Sequence, residues 1–371
     1  MNEEQPSIAE AFLTALENRD LVASIVPKKQ GMMLALTCKR VHAALQKLNK
    51  LNHPLCFSPM QQPIVTSGQV LEFLQSLSME GASKPWWYAC VNSMRLTNMQ
   101  FERSPEVYSP TERFEIIVVQ GLRVFAPLAN LCLRLPETVG PMLPPAAIAR
   151  ILEVGTSLKS LDLAKTAYRK PERNEGDFEQ LYTALGQCTN LKKLNLANGG
   201  ASIVSSAKFF GAVGKLGNLQ QLNIKNTKVF RCSATTTALI EALGKLTGLQ
   251  SLNLSNASGC YTGDQPVEGL RSCQSGFFSA LAALDLVSLN IGSNPMQTLD
   301  RHLGNALRKN TRLQELNIDE SGLVKPYQVI DGLTSLTSLK WESERYSRPL
   351  PFRDQMTEVR QGLPNLKDIG Y

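Results

Sequence analysis

At 371 residues with 43% hydrophobic content, the chain is long enough to bury a large core, and no stretch of it has the composition of a long disordered tail. Its net charge of +7 comes from Lys and Arg that are dispersed, without a basic run or an aromatic-basic interleaving of the kind that tracks and stacks on nucleic acid. No apolar run reaches the length of a membrane span, and the first twenty residues are acidic rather than signal-like. The eight Cys are scattered without a C-x-x-C or framework spacing, which predicts reduced thiols in a cytoplasmic protein. The three His residues, His42, His53 and His302, are too dispersed for a metal cluster, and phosphate-binding loops and nucleophile elbows are missing. The expectation is therefore no enzyme, no cofactor and no metal.

In chain order, residues 7 to 25 predict a first helix, Pro27 breaks it, and residues 31 to 48 predict a second. The segment VPKKQGMMLALTCKRVHAAL (26 to 45) resembles the second half of an F-box. The match runs ungapped through Val26, Pro27, Lys29, Leu34, Leu36, Cys38, Lys39 and Arg40. It departs at Val41, where the family usually has Trp, and in lacking a Leu-Pro opening before the first helix. The resemblance implies docking on a Skp1-like adaptor protein of a cullin-type ubiquitin ligase. Val26, Pro27, Leu34, Leu36, Cys38 and Val41 would be apolar contacts and Lys39 part of a charged rim. The other reading of these helices is a cap that shields the apolar edge of the first repeat.

From there on a short phrase recurs. LKSLDL (158 to 163), LKKLNL (191 to 196), LQQLNI (219 to 224), LQSLNL (249 to 254), LVSLNI (286 to 291) and LQELNI (313 to 318) share Leu-x-x-Leu-x-(Leu/Ile), with LTSLKW (336 to 341) as a degenerate copy. Weaker copies are VNSMRL (91 to 96), LANLCL (128 to 133) and LKDIGY (366 to 371), so about ten strands are expected from residue 88 onward. The second leucines, Leu161, Leu194, Leu222, Leu252, Leu289, Leu316 and Leu339, step by 33, 28, 30, 37, 27 and 23 residues. This spacing resembles that of leucine-rich repeats, in the longer class that has room for a helix per unit.

Amphipathic stretches at 69 to 78, 112 to 124, 178 to 188, 207 to 216, 235 to 246 and 299 to 309 predict those helices. The expected fold is an α/β leucine-rich-repeat solenoid, with a parallel concave sheet and convex helices. The expected domains are an F-box-like helical domain at 1 to 55, a linking helix or cap at 56 to 87, and repeats at 88 to 371.

Side chains alternate along a strand, so the leucines enter the core and the x positions face outward. The column between the last two leucines reads Asp162, Asn195, Asn223, Asn253, Asn290, Asn317 and Lys340. Beside it stand Lys159, Lys192, Lys193, Gln221, Lys225 and Glu315, so the early half is basic and amide-rich and the late half acidic. Such a face fits an unknown substrate or partner protein of opposite charge order. Stacked amides that simply bond one another are the alternative reading of the Asn column. Three places past each phrase, where leucine-rich repeats usually carry Asn or Cys, stand Thr166, Gly199, Thr227, Ala257, Asn294, Ser321 and Glu344, which predicts irregular turns.

These features fit two functions. One is an F-box-like adaptor, with the repeats holding a protein to be ubiquitylated. The other is a monomeric repeat scaffold without ubiquitin machinery. The same architecture resembles proteins that bacteria or viruses deliver into eukaryotic cells, for which the location would be the host cytosol.

Overall fold

The computed structural model describes residues 55–57, 93–97, 110–124, 128–134, 144–165, 176–198, 201–204, 206–258, 273–294, 296, 299–321, 323, 326–341 and 362–370. The F-box-like segment, with Val26, Pro27, Leu34, Leu36, Cys38, Lys39 and Val41, lies outside them. The chain divides into two compact units, Met1–Pro141 and Met142–Tyr371.

The first unit carries β1 (Leu55–Phe57), β2 (Ser93–Thr97), α1 (Pro110–Val124) and β3 (Asn130–Arg134). β2 pairs in parallel with both β1 and β3. β1 is one strand more than the recurring phrase predicts. Leu128, Leu131 and Leu133 of the LANLCL copy are buried, as are Ile117, Val118 and Leu122 of α1.

The second unit runs α2 (Pro145–Val154), β4 (Ser160–Asp162), α3 (Gly176–Gln187), β5 (Lys193–Asn195), α4 (Ala201–Val204), α5 (Ala207–Val213) and β6 (Gln221–Asn223). It continues through α6 (Ser233–Lys245), β7 (Ser251–Asn253), α7 (Gln274–Ala283), β8 (Ser288–Asn290), α8 (Asp300–Leu307) and β9 (Glu315–Asn317). α9 (Pro326–Ile330), β10 (Ser338–Lys340) and β11 (Asp368–Gly370) complete it. β4 to β11 pair in parallel in sequence order, so Leu161, Leu194, Leu222, Leu252, Leu289, Leu316, Leu339 and Ile369 form one column. Ten strands thus follow residue 88, at the places the phrase marks.

Every leucine of the six full phrases is at most 3% exposed. Each such side chain, taken out of water, stabilises the fold by roughly 1.5–3 kcal/mol. Strands stack about 4.8 Å apart and helices about 8–10 Å apart, so a unit that places all strands on one side and all helices on the other curves toward its sheet. The helical side is filled by aromatic side chains that pass from repeat to repeat. Tyr182 meets Phe209, and Phe277 meets both Phe230 and Phe278, with Phe278 stacked on His302.

The entry to each strand is built alike, since Leu158, Leu191, Leu219, Leu249, Leu313, Leu336 and Leu366 each donate an N–H to the carbonyl three residues back. β8 departs from this. Leu286 donates instead to Oδ1 of Asn310 in the next repeat, at 3.0 Å. Asn310 is buried, and its Nδ2 donates in turn to the Leu281 carbonyl at 2.9 Å. A side chain from one repeat thereby completes the turn of its neighbour.

Candidate protein-binding surface

The exit from each strand sets the geometry of the sheet face. Oδ1 of Asp162, Asn195, Asn223, Asn253, Asn290 and Asn317 accepts the backbone N–H two residues on, at Ala164, Ala197, Lys225, Ser255, Gly292 and Asp319, over 3.0–3.2 Å. An Asx turn of this kind is what short polar side chains offer a chain that must bend. The next residue in each turn, Lys165, Asn198, Asn226, Asn256, Ser293 or Glu320, has a φ of +50° to +61°. Asn tolerates that left-handed conformation better than most residues, which accounts for three of the six. Backbone bonds link each turn to the next, from Lys165 to Ala197, Asn198 to Lys225, Asn226 to Ser255, Asn256 to Gly292 and Ser293 to Asp319.

The second unit is therefore more regular in its turns than its sequence suggests. Thr227 and Ser321, both buried, donate their hydroxyls to the carbonyls of Ile224 and Ile318. Buried Asn294 does more, with Nδ2 donating to Ile291 and Leu254 at 2.8 Å each and Oδ1 accepting from Ser258 at 3.1 Å. It thus serves its own turn and that of the preceding repeat, where Ala257 has nothing to offer. The expectation of irregular turns is corrected at Ala257, whose turn Asn294 serves, while Thr166, Gly199 and Glu344 lie outside the described residues.

Of the twelve sheet-face residues singled out in the sequence, nine stand in register on the strands, and Lys159, Lys192 and Lys225 flank the strand ends. Asp162, Asn195, Asn223, Asn253, Asn290 and Asn317 are half-buried, and Lys159, Lys192, Lys193, Gln221, Lys225 and Glu315 are exposed. The amides do not form a continuous stack, since Asn195 Nδ2 to Asp162 Oδ1 at 3.1 Å is the one bond along that column among the described residues. Elsewhere the oxygen is committed to the turn. Nδ2 of Asn223, Asn253, Asn290 and Asn317 has no partner among the described residues and faces outward. Sequence alone does not give this orientation, whose signal is Asn at a strand end with a left-handed-tolerant residue three places on.

The charges divide along the face. Lys159, Lys165, Lys192, Lys193 and Lys225 are exposed and meet no carboxylate among the described residues. At the far end Asp319 is paired with Lys340 at 2.8 Å, while Glu320 accepts from the Ser293 hydroxyl at 2.9 Å. Glu315 is exposed beside them.

The second unit has the parallel strand-and-helix repeat and the buried leucine column of a leucine-rich-repeat fold. No family model and no curated protein matches the sequence. Among solved structures, the chain is similar to TLR13 in its crystal structure with ssRNA13, at 15% identity and a TM-score of 0.42, over 76% of this chain and 36% of that one. It thus spans little more than a third of that protein's length. It is also similar to internalin C2 from Listeria monocytogenes, at 16% identity and a TM-score of 0.35, over 68% of this chain and 82% of that one. Among the described residues no group of His, Cys, Asp and Glu could hold a metal ion, and no helix is long and apolar enough to cross a membrane.

Two thiols differ in state. Burial pushes Cys188 up to about 11, and its Sγ donates to the Ala184 carbonyl at 3.5 Å. Cys232 is exposed at the N-cap of α6, where hydrogen bonds from the Thr235 hydroxyl and N–H lower its pKa. Both lie away from the sheet face, on the helical side of their repeats.

Proposed function

We propose that the chain is a non-catalytic, cytoplasmic protein-binding scaffold whose concave sheet face receives a partner protein. The observation that supports it best is the outward Asn column, held in place by turn bonds and flanked by exposed lysines, on a surface where, among the described phrases of the second unit, Val287 is the one apolar residue at an x position. A photo-crosslinking residue placed at Gln221 on the sheet face should capture a partner from cell extract, whereas one at Thr183, exposed on α3, should not. Equal capture by both positions would discard the sheet face as the docking surface.

The finer proposal rests on residues 26 to 45, with residues 1 to 55 as an F-box-like domain and 56 to 87 as the link to the repeats. In that reading Val26, Pro27, Leu34, Leu36, Cys38, Lys39 and Val41 dock on a Skp1-like protein, and the sheet face holds the protein to be ubiquitylated. The full chain should then bind purified Skp1 in calorimetry and lose it on Leu36→Asp, because a charge would enter an apolar contact. No heat of binding with the intact chain would leave the scaffold without ubiquitin machinery.

A further inference from the structure

We infer that the concave face selects an extended acidic-then-basic polypeptide segment, read through side-chain carboxylates; this rests on the protein-binding reading above and names its ligand chemistry. The inference begins with the amides. Because each Oδ1 is engaged by its own turn, the groups that Asn223, Asn253, Asn290 and Asn317 leave without a partner among the described residues are their Nδ2 donors. A ladder of unpartnered donors favours carboxylates or carbonyls.

The lysines decide which acceptor. Lys159, Lys165, Lys192, Lys193 and Lys225 crowd the first three strands of the second unit and form no ion pair among the described residues, outnumbering Asp162, whose Oδ1 serves Ala164 and Asn195. A carboxylate there gains charge-assisted hydrogen bonds from ammonium and amide together. Glu315 and Glu320 at β9 reverse the sign. β4 and β9 are five strand spacings apart, about 24 Å, which an extended chain covers in about seven residues.

Backbone pairing is a poorer candidate for two reasons. The face is the broad side of the sheet rather than an edge. Carbonyls on one side of an extended strand also recur about every 6.8 Å, against about 4.8 Å between amides, so they cannot follow the ladder in step. Flexible carboxylate side chains can. A nucleic acid, the other acceptor-rich polymer, carries one sign throughout and meets Glu315 and Glu320 at the far end. The described sheet-face positions also hold no exposed aromatic side chain on which a base could stack.

The test uses the full chain and labelled octapeptides in fluorescence anisotropy. One peptide has four glutamates followed by four lysines; the control alternates the same eight residues. The block peptide should bind about tenfold tighter than the alternating one, since only it matches the charge order. Asn223→Asp with Asn253→Asp should abolish that preference while leaving thermal unfolding unchanged, because Asp162 shows that Asp makes the same turn. Equal binding of the two peptides, an unaffected double variant, or tighter binding of an octanucleotide would overturn the inference. If the double variant loses the block peptide yet the crosslinker at Gln221 still captures its partner, the ligand chemistry falls and the scaffold reading stands.

Discussion

Asn294 and Asn310 show that single side chains hold neighbouring repeats together. Asn294→Ala would strand the carbonyl of Ile291 and the N–H of Ser258, both in buried surroundings, and leave the Leu254 carbonyl with the Ala257 N–H alone. At roughly 1–3 kcal/mol for each group left unpaired, the loss should exceed about 2 kcal/mol in urea unfolding. Thr227→Val removes one hydroxyl bond and should cost about 1 kcal/mol. A smaller loss for Asn294 than for Thr227 would refute the shared-turn account. Cys188 makes a prediction in pH. Its folded pKa of about 11 lies above the ordinary 9.0, so between these values the unfolded chain sheds a proton that the folded chain keeps. The folded state then binds more protons, and stability must fall as pH rises through that window. Urea midpoints from pH 8 to pH 10.5 should decline, and Cys188→Ala should flatten the decline.

Among elements, the strands contribute through leucines and the helices through close approach. Leu222 and Leu252 are 1% exposed in the middle of the second unit's sheet. Replacing either by Ala should cost about 2–5 kcal/mol, because the repeats on both sides keep the void from collapsing. An unfolding midpoint close to wild type would contradict the register. α8 and α9 meet at Gly304, where a Cβ would lie 2.2 Å from the Gln328 carbonyl oxygen. Gly304→Ala must push the two helices apart and should cost about 1–3 kcal/mol despite alanine's better helix propensity. An exposed glycine with open space around it, Gly211 on α5, provides the opposite case. Gly211→Ala should stabilise by up to about 1 kcal/mol.

For the whole molecule, the charge order along the sheet face predicts how a partner arrives. Lys192→Glu, Lys193→Glu and Lys225→Glu together should slow association of the partner more than they speed its release. The difference from wild type should shrink with salt, as the Debye length falls from about 10 Å at 0.1 M to about 3 Å at 1 M. Stopped-flow association at several ionic strengths checks this. Equal rates for wild type and triple variant at low salt would move the contact off the basic half. Away from that face, exposed ion pairs join adjacent repeats, Lys208 of α5 with Glu179 of α3 and Arg312 with Asp285 in the loops before β9 and β8.

The sequence by itself determined the solenoid, because Leu-x-x-Leu-x-(Leu/Ile) states which side chains leave water and a three-residue strand has only one way to satisfy it. The same alternation placed Asp162, Asn195 and their counterparts on the face opposite Leu161 and Leu194. Only tertiary structure decided what those amides do. Whether Asn253 bonds its neighbour or its own turn depends on the left-handed backbone at Asn256 and on the bond from that turn to Gly292 in the next repeat. Asn310 is the sharper case, since its partner Leu286 lies in the preceding repeat. Hydrophobic periodicity is local and survives in the linear chain. A hydrogen bond between repeats exists only once the stacking register has brought two distant segments within about 3 Å.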